Sequence, residues 1–141
     1  MKPHKTAITR SKLPVPTRDL LVQGCLKGDV LDFGCGKCHE INNSHFSCDG
    51  YDPYFRPIFP NKKYDTIVCN YVLNVVPPET QSKILDELRG LLKPNGVAYV
   101  SVRRDIKENY TTKDTEQYVV KLDCASLVRN SSYEIYRVIM K

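Results

Sequence analysis

The sequence predicts an α/β fold with a mostly parallel sheet that ends in an antiparallel hairpin. Three observations carry this expectation. Short apolar or β-branched runs alternate with turn-rich and amphipathic stretches as far as Val102. The first of these runs, Val30-Leu31-Asp32-Phe33, leads straight into Gly34-Cys35-Gly36, where strand periodicity stops. The segments after Gln117 alternate in the manner of paired strands instead of forming another helix.

At 141 residues the chain has room for one compact domain. Hydrophobic residues make up 41% and charged residues 26%, the balance of a globular protein with a core. No apolar run approaches the ~20 residues of a membrane-spanning helix. The start, Met1-Lys2-Pro3-His4-Lys5, lacks the apolar centre of a secretory signal, so the expected location is cytoplasmic. In that setting the six cysteines are expected to be free thiols. The net charge is +5, and residues 1–27, with six basic side chains against Asp19, account for all of it. This basic segment suits a polyanionic partner such as nucleic acid. A solvated leader fits the same charge.

The chain divides into a basic segment with a short helix, residues 1–27, and a domain over 28–141. Thr17 is expected to cap a helix through Val22 or Gln23, with Pro16 just outside it and Gly24 ending it. Val30–Phe33 is the first strand, and a short helix is expected from Lys37 to about Asn42. Ser47–Tyr51 is the second strand, closed by Asp52-Pro53. Residues 53–63, with Pro57, Pro60 and Asn61, read as an irregular loop. Tyr64–Asn70 is apolar on both faces, as a central strand should be. Pro77-Pro78-Glu79 opens a helix whose Ile84, Leu85, Leu88, Leu91 and Leu92 form one stripe. Lys93–Gly96 is a turn and Val97–Val102 a strand. Tyr118–Leu122 and Tyr133–Met140 are expected as the hairpin strands, with a helical turn around Ala125–Val128.

The chemistry concentrates at Asp32, Gly34, Cys35 and Gly36. Small residues at a strand-to-helix turn let a ligand lie against the backbone. Asp52 follows at the end of the next strand, where an acid can accept hydrogen bonds from both hydroxyls of a ribose.

This stretch resembles the first motif of the class I S-adenosylmethionine-dependent methyltransferases. Tyr64 to Asn74 is similar to that family's fourth motif and the segment after it, and Leu91-Leu92-Lys93-Pro94-Asn95-Gly96 to its helix-to-strand signature. The resemblance covers roughly residues 28–104. It implies a reduced Rossmann-like fold, with one central strand and its flanking helices shortened or missing. It also implies S-adenosyl-L-methionine as cofactor. Gly34, Cys35 and Gly36 would lie along its methionine part, and Asp32 would act on its ammonium group. Asp52 would take the ribose, Pro53 and Tyr54 would lie near the adenine, and Asn70 and Tyr71 would face the sulfonium and the acceptor. Asn70 and Asn74 are the expected acceptor-positioning residues. A narrower likeness, carried by His4–Arg10, Tyr51–Pro57 and Tyr71–Val75, is to the putative methyltransferases associated with DNA phosphorothioation. It implies a nucleic acid or a related small acceptor, met through Lys5, Arg10, Lys12, Arg103 and Arg104.

The chain departs from the family pattern in two places. Cys38 stands where the motif has its third glycine, and residues 53–63 replace a helix, strand and helix that normally carry an acid for the adenine amino group. That shortening motivates a second reading, a non-catalytic module of the same fold that binds nucleic acid or a protein partner. Cys35-Gly36-Lys37-Cys38-His39 also matches haem-attachment, redox and zinc patterns. Haem attachment requires export; zinc requires another close ligand pair, and with no second Cys-x-x-Cys present only His39, His45 and Cys48, at irregular spacing, could be recruited. A nicotinamide-dinucleotide fold would need glycine where His39 stands. No metal is expected.

Overall fold

The computed structural model describes residues 13–36 and 46–140. Its order is α1 (Val15–Val22), β1 (Val30–Phe33), β2 (Cys48–Tyr51), β3 (Tyr64–Asn70), a 3-10 turn (Leu73–Val75) and α2 (Pro78–Gly90). There follow β4 (Leu92–Arg103), β5 (Tyr110–Thr111), β6 (Glu116–Gln117), β7 (Ala125–Arg129) and β8 (Tyr133–Val138). The helix expected at Lys37–Asn42 lies outside the described residues.

Among the described residues six strands form one sheet in the order β2-β1-β3-β4-β8-β7. The first four run parallel, while β8 is antiparallel to both β4 and β7. The expected α/β fold is thus present, with its antiparallel end. Among the described residues the sheet stops at β2, so the shortening falls at an edge and not on a central strand. The β2-to-β3 connection is irregular, as its prolines require.

Both faces of β3 are covered. Ile67 and Cys69 point into the larger core with Leu31, Phe33, Leu88, Val100 and Val102. Val68 points the other way, into a smaller core with Leu20, Tyr99, Tyr133 and Ile135. The stripe of α2 buries Ile84 and Leu88 against the larger core. Its first-turn Glu79 and last-turn Arg89 suit the helix dipole. The helix ends at Gly90, and Leu92 already belongs to β4, where it pairs with Tyr64. The next pair is Thr66 with Val97, so Lys93–Gly96 bulges out of the ladder as the expected turn.

Three local expectations are corrected. First, α1 begins at Val15, with Pro14 as its cap residue. Pro16 sits in the first turn, where a missing N–H costs nothing. Thr17 is not the cap; it is wholly buried and its hydroxyl points at β3. Second, Ala125–Val128 is extended, since Ala125–Arg129 forms the outer strand β7. Third, Tyr118–Leu122 is not a strand. Tyr118 exchanges backbone and side-chain hydrogen bonds with Asn74, at 2.7 and 2.8 Å, which draws that segment over the 3-10 turn and away from the sheet. The free-thiol expectation holds for Cys25, Cys48, Cys69 and Cys124, but Cys35 is disulfide-bonded.

Candidate cofactor site

Parallel pairing of Phe33 with Tyr51 ends β1 and β2 side by side. The glycine hinge and Asp52 therefore emerge as neighbours at the carboxyl edge of the sheet. Gly34 and Cys35 both donate their amides to the Tyr51 carbonyl, at 2.7 and 3.0 Å, which folds the hinge across the end of β2. Gly34 and Gly36 take φ of 81° and 59°, a backbone state that L side chains rarely adopt.

Asp52 holds this corner together. Its Oδ2 accepts the Gly36 amide at 2.8 Å, and its Oδ1 accepts those of Tyr54 and Phe55 at 2.9 and 3.0 Å. Asp52 and Arg56 also exchange two backbone bonds of 3.0 Å, closing a tight turn that includes the exposed Pro53. A carboxylate oxygen offers two lone pairs. The three bonds therefore fill Oδ1 and leave capacity on Oδ2, beside the hinge. Beyond the turn, the Tyr51 ring lies between Phe33 at 5.1 Å and Phe59 at 5.2 Å, and Tyr54 meets Phe55 edge-on at 4.8 Å. The corner thus combines backbone that admits close approach, an acceptor for a sugar hydroxyl and an aromatic shelf. These features fit a nucleoside-bearing cofactor.

Asp32 lies within β1 at 1% exposure, on the sheet face that carries α1. Burial pushes the Cys69 thiol up, and the Asp32 charge adds to the effect, so Cys69 stays protonated and is no nucleophile.

Asn70 closes β3, and its side chain is held from two directions. Its amide nitrogen donates to Thr17 Oγ1 at 2.7 Å, and its Oδ1 accepts from the Ser101 hydroxyl at 2.8 Å. The sequence marks Thr17 only as a helix cap and gives Ser101 no role. The one available signal for Ser101 was a polar residue within an otherwise apolar strand. Tyr71 follows with φ 63°, unusual for a residue other than glycine, and its amide donates to the Ser101 carbonyl at 2.9 Å. Backbone strain of this kind concentrates at ligand sites.

The remaining candidates lie apart from this corner. Asn74 is wholly buried. Its Oδ1 accepts the Arg103 amide at 2.8 Å and its nitrogen donates to the Tyr118 carbonyl, so it offers an acceptor nothing to touch in this conformation. Arg103 is paired with Asp105 through two bonds of 2.8 Å, and Arg104 donates to the Asn130 carbonyl. Lys5, Arg10 and Lys12 lie outside the described residues, as do Cys38, His39 and His45. Among the described residues no helix is long and apolar enough to cross a membrane.

Comparison with known proteins bears on the fold and the family. The chain is 51% identical over 39 residues to the uncharacterized protein RP028 of Rickettsia prowazekii (strain Madrid E), a stretch that covers 28% of this chain and 16% of that relative. The chain therefore spans only a minor part of the length of the curated relative it matches. Among solved structures, PH0226 from Pyrococcus horikoshii OT3 superposes with a TM-score of 0.59 at 12% identity, over 89% of this chain and 87% of that one. A complex of DhpI with SAM and HEP gives 0.55 at 13% identity, over 87% of each chain. At such identities these likenesses establish the shared fold. The model described as a methyltransferase domain matches residues 13–130, most of the chain, and on that match the protein belongs to the methyltransferase-domain family.

Proposed function

We propose that this chain transfers the methyl group of S-adenosyl-L-methionine to a nucleic acid or a related small acceptor. The observation that carries the cofactor part is the Asp52 carboxylate, 2.8 Å from the Gly36 amide, beside a glycine hinge at the end of two parallel strands. Ligands of open parallel sheets bind beyond the strand ends, where this corner sits. Gly34, Cys35 and Gly36 would line the methionine part, Asp32 would stand behind the hinge, and the open lone pair of Asp52 would take a ribose hydroxyl. The Tyr54 and Phe59 rings would shield the base, in place of the adenine-binding elements that the chain lacks.

The cofactor supplies a methyl on a sulfonium, and its sulfur keeps the electron pair when an acceptor lone pair forms the new bond. What the chain contributes is alignment of the two partners. Asn70 and Tyr71 stand at the open end of β3 where an acceptor would arrive. Because Thr17 and Ser101 hold Asn70, its amide is fixed in orientation before any acceptor binds.

The acceptor class is supported by the resemblance of three segments to proteins associated with DNA phosphorothioation and by the basic residues Lys5, Arg10 and Lys12. Arg103 contributes less to it than the sequence suggests, since Asp105 already neutralises it. The second reading, a module of this fold without catalysis, is favoured by one observation. Asp52 is already bonded to its own loop, so the corner is stable with no cofactor to complete it.

Calorimetry with S-adenosylhomocysteine separates the readings. Saturable binding that weakens about tenfold or more in Asp52→Ala, the loss typical of hydrogen bonds to a charged group, supports the enzyme. Absence of binding at millimolar ligand, in protein with an unchanged circular dichroism spectrum, leaves the module. For the acceptor, affinity for a DNA oligonucleotide should fall steeply with salt and collapse on deletion of residues 1–12. An unchanged affinity would remove nucleic acid from the proposal.

A further inference from the structure

At the opposite edge of the sheet, where the parallel strands begin, the described residues cover the face that carries α1 only in part. Four residues of β3 separate Thr66 from Asn70, about 13 Å at the rise of an extended strand. A cavity of about 530 Å³ lies there, between the Gln23–Gly28 loop and the start of β3, β4 and the end of β8. Its floor includes Tyr99, 8% exposed, and its rim includes Lys27 and Arg137.

The loop is fixed in place rather than draped. Thr66 Oγ1 accepts the Lys27 amide at 3.2 Å and donates to the Lys27 carbonyl at 2.8 Å. Gly24 turns with φ 73°, and a Cβ there would meet nothing within 4 Å, so the loop leaves open space at that point. Cys25, Tyr99 and Arg137 line the same cavity, which brings a cation and a phenol hydroxyl to one wall.

Charge decides the ligand. The one acid on the lining, Asp65, turns its Oδ2 to the Asp29 amide at 2.8 Å and the Lys93 ammonium at 3.0 Å. Its charge is therefore compensated from outside the cavity. Among the described residues neither Lys27 nor Arg137 has a carboxylate partner. Two cations and a phenol around a concave space of this volume match a dianion carried on a small molecule, with the planar guanidinium suited to paired oxygens. We propose that this cavity is a second binding site, separate from the cofactor corner, for a phosphate group, with Arg137, Lys27 and Tyr99 as its recognition residues.

The test is amide-resolved nuclear magnetic resonance of the full chain titrated with inorganic phosphate, with adenosine 5′-monophosphate and with adenosine as the neutral control. Phosphate and the monophosphate should shift the amides of Gly24, Cys25, Gly28 and Tyr99, while adenosine should not. Equal responses identify free phosphate as the source of the group, and a tighter response to the nucleotide identifies a phosphate monoester. Arg137→Gln should weaken the response about tenfold, as loss of a charged hydrogen-bond donor does, and Lys27→Gln should weaken it further. Both side chains are exposed, so the fold should persist, and an unchanged melting temperature checks this. Asp52→Ala should leave the response intact, which keeps the outcome independent of the methyl-transfer reading. No shifts at millimolar phosphate, shifts confined to other regions, or a response unchanged in the double substitution would each overturn the proposal.

Discussion

Gly34 shows how tightly single positions are set around the hinge. A Cβ built there would stand 2.3 Å from Cγ2 of Val72, and φ is 81°. Gly34→Ala therefore meets both a steric and a conformational penalty, expected to destabilise the fold by about 2 kcal/mol. Urea denaturation measures it. Adding Val72→Ala should recover the steric share and leave the backbone share, so a double variant no better than the single would refute this account. Asp52 presents a different balance, since one carboxylate serves the loop and, by the proposed function, a ligand as well. Asp52→Asn keeps the oxygen that Tyr54 and Phe55 use and loses the charge. It should fold better than Asp52→Ala while binding S-adenosylhomocysteine no better.

Elements depend on a few polar ties as well as on apolar burial. Only Leu20 of α1 enters the smaller core as a fully buried large side chain, so the Thr17–Asn70 bond carries an unusual share of the docking. Thr17→Ala should cost about 1 kcal/mol, and Thr17→Ser should restore most of it in the same denaturation experiment. At the other end of the strands, Lys93 bridges Asp29 at 2.8 Å and Asp65 at 3.0 Å. The hydrogen bond from Lys93 lowers the Asp29 pKa, and the Asp29 amide, then Lys93, lowers that of Asp65. Both carboxylates raise that of Lys93 in turn. Carboxylates with depressed pKa values add stability above their unfolded value of about 3.9, and it is lost as pH falls through the folded values. The raised ammonium adds stability below its unfolded value of about 10.4, and it is lost as pH climbs through the folded one. Lys93→Met should therefore lower the melting temperature most between these limits and converge with wild type at acid pH. The groups are exposed, so the effect is small. These ties link residues far apart in the chain and leave no local pattern to read. Hence Thr17 looks like a helix cap in the sequence, and Tyr118–Leu122 looks like a strand until Asn74 claims its backbone. By contrast β1, β3 and α2 are legible, because burial of whole faces imposes periodicities of two and 3.6 on their residues.

Across the whole molecule, stability should grade outward from β3, which has parallel neighbours on both sides and cores on both faces. Hydrogen exchange should be slowest for the amides of Ile67–Cys69 and Val100–Val102, and fastest in β2 and β7 at the two edges of the sheet. Uniform protection would contradict this grading. The cofactor corner was legible in the sequence because its parts are short-range: a strand end, two glycines and an acid on the adjoining strand. The cavity beside Tyr99 was not, because its residues come from four separate segments that only the fold assembles. The edge position of β2 has one more consequence. Residues 53–63 connect β2 to β3 without passing through either core, so additional helix-and-strand units could be threaded into that connection and laid alongside β2 while every hydrogen bond of β3 stays as it is. A grafted insertion at Asn61 would show whether a sheet with this short connection is also a starting point from which larger ones grow.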